Sequence, residues 1–272
     1  MSDLVIFMRI RIIITALLLC LVGGCLANAQ GLPLAGIAHV AFRVSNLEQT
    51  REFYQKLGFE QAFEFTDAGK TTQAFIKISD RQFVELYPKT EESQTLGLMH
   101  ICYEASDIAS VHDAYAKAGL SPTDVKKARA GNLLFVLHDR DGQLVEYAQY
   151  MTGSLHSEDR GKHLGRDRLA EHLVEARLFV KDVDAERDFY INKLGFVETN
   201  ANAVLRVPGT PGDEIELIPG DQDKTSQITF TVKDVKQTAK SLRKRNLRAQ
   251  AGRHGVQIHD PDGNSIMFSS WP

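Results

Sequence analysis

The stretch FYQKLGF occupies residues 53–59, and it returns with one inserted residue as FYINKLGF at 189–196. A phrase that recurs within one chain indicates an internal duplication, so the sequence carries at least two copies of one structural unit. The strand-like stretches 98–105 and 226–235 each precede a helix, as 37–44 and 173–180 do. We therefore expect four units of about fifty to sixty residues each.

Each unit repeats the same local order of elements. Ser45 followed by Glu48 has the spacing of a capping box and predicts a helix that begins at Asn46 and stops at Gly58. The other helices are expected to open at comparable polar residues, namely Ser106, Asp182 and Asp234. Short apolar runs separated by turn residues follow each helix, and the last hairpins contain the Asp-Gly turns HDRDGQ and HDPDGN. The unit is therefore predicted to be βαβββ.

The composition is typical of a soluble globular protein of one or two domains. The chain has 272 residues, of which 43% are hydrophobic and 25% charged. Lys and Arg number 32 against 35 Asp and Glu, so the net charge of −3 gives no electrostatic reason to expect nucleic acid as a partner. Two of the three cysteines lie in the N-terminal apolar segment, which excludes an internal disulfide framework.

The N-terminal residues 1–29 have the pattern of a secretory signal peptide. An apolar run at 12–22 follows two arginines and precedes small residues. This run is shorter than the roughly 20 residues that a membrane-spanning helix needs, so no stable transmembrane span is expected. Cleavage after Ala29 would release a periplasmic or secreted protein, whereas the lipobox-like sequence VGGC would leave Cys25 acylated, and both remain open. Met8 is an alternative start because it opens directly onto the basic segment.

The predicted organisation is a signal peptide at 1–29, a metal-binding domain at 30–150, a linker at 151–172 and a second domain at 173–272. One helix per unit covers only one face of a strand-rich sheet, so the other face should curve around a cavity suited to a ligand. The linker has no regular apolar period. Its three histidines are expected to be exposed to solvent; they are His156, His163 and His172.

Four polar residues recur at matched positions on the face predicted to line the cavity. Strand alternation places His39 opposite the face that packs on the helix, and it places His100 likewise in the second unit. Glu85 and Glu146 alternate with apolar neighbours in the same way. Each histidine precedes its glutamate by 46 residues, and the two pairs are 61 residues apart. The first two units therefore contribute identical pairs of side chains.

Two imidazoles and two carboxylates on one concave face suit a single divalent first-row metal ion, and they neutralise its charge. Nickel, zinc, manganese and iron all remain possible. The competing interpretation is four separate polar residues that are hydrogen-bonded or hydrated in a cleft.

Arg43 follows His39 by four residues on the same strand face, where it could hold a carboxylate or phosphate group of a small-molecule substrate. Glu104 has the same relation to His100, so a simple Arg43–Glu104 ion pair is the alternative.

The chain resembles the vicinal oxygen chelate superfamily over residues 35–271. This superfamily includes glyoxalase I, fosfomycin-resistance enzymes, methylmalonyl-CoA epimerase, extradiol dioxygenases and bleomycin-binding proteins. The resemblance rests on the four βαβββ units, the FYQKLGF-type helix endings, the Asp-Gly hairpins and the ligands on first and last strands. It implies an α+β fold of two tandem domains, each a curved, partly closed sheet with helices on its outer face. By similarity, metal positions of the glyoxalase I branch fall on His39, Glu85, His100 and Glu146.

Together with the signal peptide, that resemblance implies an exported metal-dependent enzyme with isomerase- or lyase-like chemistry on a substrate chelated through two adjacent oxygens. Glu146, with Glu85 as its mirror, would move a proton between neighbouring carbons. One alternative is an extradiol-type dioxygenase, which uses two histidines and one carboxylate and would leave Glu85 surplus. The other is a ligand-binding protein of the bleomycin-resistance type without a metal, against which the paired glutamates argue.

The second half lacks this ligand set. Aligned on the helix endings, the counterparts of the four residues are Glu175, Glu216, Gln227 and Met267. Pairing of sequential units concentrates one site in the first half and leaves the second half degenerate. A swapped pairing remains open, and it would join a different set, namely Glu175, Glu216, His100 and Glu146.

Overall fold

The computed structural model describes residues 31–201, 203–221, 226–252 and 254–270. The expectations for the signal peptide, for Cys25 and for the start at Met8 therefore lie outside the described residues. Residues Pro33–Pro272 form one unit, and every contact given below lies within it.

The first half contains two βαβββ modules in succession. The first module comprises β1 (Leu34–Val44), α1 (Leu47–Lys56), β2 (Glu60–Asp67), β3 (Lys70–Lys77) and β4 (Phe83–Pro88). The second comprises β5 (Gly97–Ala105), α2 (Ile108–Lys117), β6 (Lys126–Lys127), β7 (Leu133–His138) and β8 (Leu144–Gln149). A short helix, α3 (Leu155–Glu158), follows them.

The second half repeats this order of elements. Its first module comprises β9 (His172–Val180), α4 (Val183–Asn192), β10 (Val197–Glu198), β11 (Val204–Arg206) and β12 (Glu214–Pro219). Its second comprises β13 (Gln227–Thr231), α5 (Val235–Lys244), β14 (Gln250–Gly252), β15 (Gly255–His259) and β16 (Ser265–Ser269). The predicted α+β fold of four modules in two tandem domains is confirmed.

Each half forms one eight-stranded sheet in which the first strands of its two modules are central. The strand order is β2-β3-β4-β1-β5-β8-β7-β6 in the first half and β10-β11-β12-β9-β13-β16-β15-β14 in the second. β1 runs antiparallel to β5 and parallel to β4, and β5 runs parallel to β8. Sequential modules therefore share a sheet, and the swapped pairing is not adopted.

An acidic or amide side chain caps each of the four long helices. Asp182 and Asp234 accept a backbone N–H three residues ahead, as predicted. The predicted caps Ser45 and Ser106 are wrong by one residue; the caps are the next residues, Asn46 and Asp107. Asn, Asp and Ser are about equally good N-caps, so the residue type does not decide which of two neighbouring residues caps the helix. In each helix the observed cap directly precedes an apolar residue, which is the first residue of the helix.

In both halves a β-bulge lies directly before a position named above, His39 in the first half and its counterpart Glu175 in the second. In the β1–β5 pair Ile37 lies opposite Tyr103 but His39 lies opposite Cys102, so Ala38 is the extra residue. In the β9–β13 pair the same irregularity makes Val174 the extra residue. A β-bulge changes the direction of neighbouring side chains and increases the local strand twist. The two halves therefore share the same irregularity at the centre of their sheets.

The two halves contact each other through reciprocal hydrogen bonds. In the first Asp-Gly hairpin, Asp141 Oδ2 accepts from the backbone N–H of Lys181 at 2.6 Å. In the second, Asp262 Oδ2 accepts from the backbone N–H of Ser45 at 3.1 Å. Lys181 and Ser45 are the residues that directly follow β9 and β1. Each half therefore bonds to the end of the other half's first strand.

The segment 151–172 packs over the first-half sheet, and the predicted exposure of His156 is wrong. Its side chain is 2% exposed, and its ring contacts the rings of Phe63, Phe75, Phe83 and Tyr150. Without the segment 151–172 these aromatic side chains would expose a large apolar surface to water, so packing of the segment against them is favourable.

The other two histidines of this segment are partly accessible. His163 is exposed, as predicted, and contacts the Asp159 carboxylate. His172 is half-buried at the start of β9 and contacts Asp213 at 2.7 Å.

Candidate metal centre

The four predicted ligands converge at the centre of the first-half sheet, where β4, β1, β5 and β8 are neighbours. The Nε2 atom of His39 lies 3.2 Å from His100 Nε2 and 3.3 Å from Glu146 Oε1. The Nδ1 atom of His39 lies 3.4 Å from Glu85 Oε1. Because each side chain comes from a different strand, the pairing of the two modules is what assembles the cluster.

The cluster is enclosed. His39 is 3% exposed, Glu85 4% and His100 9%, and the Glu146 side chain is 13% exposed. Isolated carboxylates at such depth are costly unless a cation or a set of hydrogen-bond donors compensates them. The burial of two glutamates beside two imidazoles therefore favours a bound cation.

The donor atoms fit a divalent ion. Ligand atoms of His39, Glu85 and His100 lie within 4.8 Å of one another, and so do those of His39, Cys102 and Glu146. Two ligands that each lie about 2.1 Å from a tetrahedral ion stand about 3.4 Å apart, close to the observed separations. In addition, His39 Nδ1 is buried without a hydrogen bond.

Glu85 stands apart from the other three ligands, because it contacts the second ring nitrogen of His39. Its Oε2 atom accepts hydrogen bonds from Gln73 Nε2 at 2.9 Å and from the Tyr87 hydroxyl at 3.1 Å. A carboxylate on the far nitrogen of a metal-bound histidine fixes its tautomer and orientation. Sequence reasoning missed Gln73 and Tyr87. Tyr87 follows Glu85 by two residues and so shares its strand face, and Gln73 lies two residues before Phe75, the β-partner of Glu85.

Cys102 is a fifth candidate ligand, outside the four that the repeated spacing predicts. It is fully buried, and its Sγ atom belongs to the potential ligand set with His39 and Glu146. Burial and the neighbouring carboxylates raise the pKa of its thiol well above the usual value. The signal was present, since Cys102 follows His100 by two residues and therefore shares its strand face.

Burial and neighbouring charges shift the pKa values of His39 and Glu146 in opposite directions. Burial acts to lower the pKa of His39, but the charges of Glu85 and Glu146 outweigh it and the pKa is raised. Burial acts to raise the pKa of Glu146, but its contact with His39 dominates and lowers this pKa to about 2. Glu146 is therefore ionised at neutral pH.

The other two ligands respond mainly to burial. Burial lowers the pKa of His100 to about 4, so this imidazole is neutral at physiological pH and able to donate a lone pair to a metal. Burial raises the pKa of Glu85, partly offset by His39.

Two further polar atoms are buried without partners close to the cluster. The Tyr150 hydroxyl and His156 Nε2 lack a hydrogen bond, and the two rings stack at 4.6 Å between centroids. Asn132 Nδ2 lies 2.8 Å from His156 Nδ1. Burial lowers the pKa of His156 to about 3, so it is neutral at physiological pH.

Arg43 lies at the end of β1 and lines a cavity whose lining includes none of the four predicted ligands. It donates from Nη1 to the Thr95 carbonyl oxygen at 3.3 Å. The alternative of an Arg43–Glu104 ion pair is wrong, because Glu104 instead accepts two hydrogen bonds from Arg81. The role of Arg43 as a substrate anchor stays a prediction.

In the second half an arginine occupies the centre of the corresponding cluster. By register Arg177 matches Ala41, since each is the β-partner of the glutamate on the neighbouring strand. Its Nε atom donates to Glu216 Oε2 at 2.6 Å, and its Nη1 atom donates to Gln227 Oε1 at 3.0 Å. The counterparts of two first-half ligands therefore bind a guanidinium group.

The remaining counterparts also differ in chemistry. Glu175 accepts a hydrogen bond from Thr229 Oγ1 at 3.0 Å, and Met267 lies opposite Thr229 where Glu146 lies opposite Cys102. The thioether of Met267 thus stands where Glu146 has a carboxylate, and the amide of Gln227 stands where His100 has an imidazole.

Paired βαβββ modules that bring histidine and glutamate side chains together at the centre of one sheet define the class of fold to which this chain belongs. The profile of the Glyoxalase/Bleomycin resistance protein/Dioxygenase superfamily matches residues 36–147 and 170–268. The chain belongs to this superfamily, as the resemblance predicted. A search of curated proteins gives no significant match.

Solved structures share the fold at low sequence identity. The Mn(II)-bound glyoxalase from Novosphingobium aromaticivorans is 17% identical with a TM-score of 0.67, covering 88% of this chain and 82% of its own. The 2,3-dioxygenase LapB from Pseudomonas sp. KL28 is 15% identical with a TM-score of 0.67, covering 90% and 94%. An extradiol ring-cleaving dioxygenase from B. fuscum is 16% identical with a TM-score of 0.66, covering 89% and 73%.

Proposed function

We propose that the protein is a divalent-metal-dependent enzyme that moves a proton within a small substrate held through two adjacent oxygens. The observation that carries this proposal is the approach of His100, Glu85 and Glu146 to within 3.2–3.4 Å of His39 in a buried cluster. Two carboxylates and two imidazoles suit a manganese, iron, nickel or zinc ion. A bound ion of this kind polarises substrate oxygens and stabilises negative charge that develops on them.

The chain's own residues divide the remaining work. Glu146 is the more exposed of the two carboxylates, and no described residue other than His39 and Cys102 donates to it, so we assign to it the role of accepting and returning the proton. Glu85 is fixed in place by Gln73 and Tyr87, so it serves as the second carboxylate ligand while Glu146 moves the proton. The aromatic residues and α3 above the site keep bulk water away from a reactive carbanion-like centre.

An extradiol-type dioxygenase is the second candidate, and one observation favours it. His39 Nε2, His100 Nε2 and Glu146 Oε1 lie together, whereas Glu85 lies on the other nitrogen of His39. Two histidines and one carboxylate are the ligand set of non-haem iron oxygenases, and Glu85 is not surplus if it orients His39.

The metal proposal is tested by elemental analysis of the purified protein beside two variants. We expect one divalent ion per chain in the parent, loss of that ion in His100→Ala, and retention in the control His138→Ala, whose histidine is exposed at the end of β7. Oxygen uptake on catechols would then assign the dioxygenase, and solvent-deuterium incorporation into 2-hydroxy ketones or aldehydes without oxygen uptake would assign the proton-transfer enzyme.

A parent protein without stoichiometric metal would contradict both enzyme proposals. That result would leave the ligand-binding protein of the bleomycin-resistance type, which needs no ion.

We further propose that the protein is exported. The apolar run at 12–22 and the small residues after it support export. The two alternatives are cleavage after Ala29 and acylation at Cys25. Within the described ranges no helix has the length and apolarity to span a membrane. The intact mass of the mature protein distinguishes a chain that begins after Ala29 from one acylated at Cys25.

A further inference from the structure

A cavity of about 350 Å³ lies between the two halves, away from the four predicted ligands. Its first wall is the edge of the first-half sheet where β1 ends and β5 and β8 begin, with Arg43, Met99 and Leu144. Its second wall is the stretch Arg177–Phe179 of β9, with Ser226. The volume falls in the usual range for small-molecule sites, which often form at domain interfaces.

The charge of this cavity has one sign. Arg43 and Arg177 line it, and no aspartate or glutamate is among the described residues that do. Arg43 donates to one carbonyl oxygen and forms no ion pair with any described residue. A guanidinium group carries five N–H donors, so Arg43 keeps most of its donors available for a ligand. Arg177 is paired with Glu216 and contributes less net charge.

Apolar residues line part of the rest of the cavity, beside Thr95, Gly142, Gln143 and Ser226. They are Leu96, Leu98, Met99, Leu144, Leu178 and Phe179. Between the walls, Gln143 Nε2 donates to the carbonyl oxygen of Phe179 at 2.8 Å, so the first-half hairpin and β9 are fixed relative to each other. An arginine with free N–H donors beside apolar lining residues suits a ligand that has one anionic group and an apolar body.

We propose that this cavity binds a small organic anion, with Arg43 holding the carboxylate, sulfonate or phosphate group and the leucine side chains contacting the apolar body. The site is separate from the metal centre and needs no bound metal. It also gives the second half a role, because Arg177, Leu178 and Phe179 supply one of its walls.

The test is isothermal titration of the full chain with octanoate and with octanamide, which have the same apolar body and differ in charge. We expect one saturable octanoate site and at least about tenfold weaker binding of octanamide, since a charge-assisted hydrogen bond is lost. Arg43→Gln should weaken octanoate about tenfold for the same reason. Arg248→Gln, which alters an exposed arginine outside the cavity lining, should bind as the parent does.

A second comparison separates this site from the metal centre. Glu85→Gln alters a residue outside the cavity lining, so octanoate affinity should be retained even where the variant loses metal. Loss of octanoate binding in Glu85→Gln would mean that the carboxylate binds the ion, and it would overturn the cavity proposal. Equal affinity for octanoate and octanamide, an unchanged Arg43→Gln variant, or no saturable binding by the parent would overturn it as well.

Discussion

Arg177 is the residue that most clearly separates the chemistry of the two halves. Its guanidinium contacts Glu216 and Gln227, which occupy the register positions of Glu85 and His100. A fixed side-chain cation there satisfies an acidic group that would otherwise need a metal or a proton. Arg177 thus supplies beside Glu216 the positive charge that a metal ion would supply beside Glu85.

Replacement of Arg177 by alanine, the residue found at the matching position 41, should therefore destabilise the protein. We expect the free energy of unfolding to fall by about 1–3 kcal/mol, because Glu216 and Gln227 lose their partner in a partly buried setting. Urea unfolding measures this, with Arg177→Lys as the charge-preserving control. Metal content should stay at the parent value. A variant as stable as the parent would show that solvent compensates Glu216.

How far sequence reasoning reaches is clear from these residues. The four predicted ligands follow from strand alternation and from a repeated spacing, both of which are local properties of the chain. The contact of Glu85 with Nδ1 of His39 depends on ring orientation and on the bulge at Ala38, which no local pattern reveals. Arg177 was missed because its counterpart is an alanine, so the repeat gives no signal at that position.

At the scale of elements, a buried ion pair joins the turn after the short helix α3 to the first-half sheet, beside the ring contacts of His156. Lys77 is fully buried, and its Nζ atom lies 2.8 Å from Asp159 Oδ2 and 3.0 Å from the Asp159 carbonyl oxygen. The amine also lies 4.6 Å from the centre of the Phe83 ring. The sequence offered no regular apolar period in this segment, and the aromatic residues it covers come from separate strands, so its docking could not be predicted.

Lys77→Met should release this segment while it preserves the volume of the side chain. We expect a loss of about 3 kcal/mol in unfolding free energy, because Asp159 is left buried with His163 as the one side-chain partner among the described residues. Limited trypsin digestion should cleave faster at Arg160 and Lys162, and urea unfolding gives the energy. Lys70→Met, on the exposed part of the same strand, is the control. Unchanged cleavage would mean that ring packing around His156 holds the segment alone.

At the scale of the whole molecule, buried acids at the contact between the halves make stability depend on pH. Burial and the charge of Asp139 raise the pKa of Glu186 to about 7, and burial raises the pKa of Asp139 to about 6. Glu186 accepts a hydrogen bond from the backbone N–H of Arg140, across the two halves. The folded state therefore binds protons more tightly than the unfolded chain, whose glutamates titrate at about 4.3. The contribution of Glu186 is present at low pH and is lost as the pH rises towards about 7.

Glu186→Gln should remove the part of this pH dependence that Glu186 contributes, while it keeps an acceptor for Arg140. We expect the variant to be more stable than the parent by about 1 kcal/mol at pH 8, with a gap that shrinks as the pH falls to about 5. Urea unfolding at a series of pH values measures the gap. A gap that is the same at both ends of the series would indicate a packing effect and would contradict the titration account.

The reciprocal bonds of Asp141 and Asp262 have a consequence for the ancestry of the chain. Each half carries both partners of the contact, a hairpin carboxylate and the amide after its first strand. That is the self-complementary surface of a two-fold symmetric dimer. The tandem protein is thus the form that such a dimer takes once a peptide joins its two subunits. Two copies within one chain need not be identical, and here one carries imidazoles where the other carries a guanidinium group.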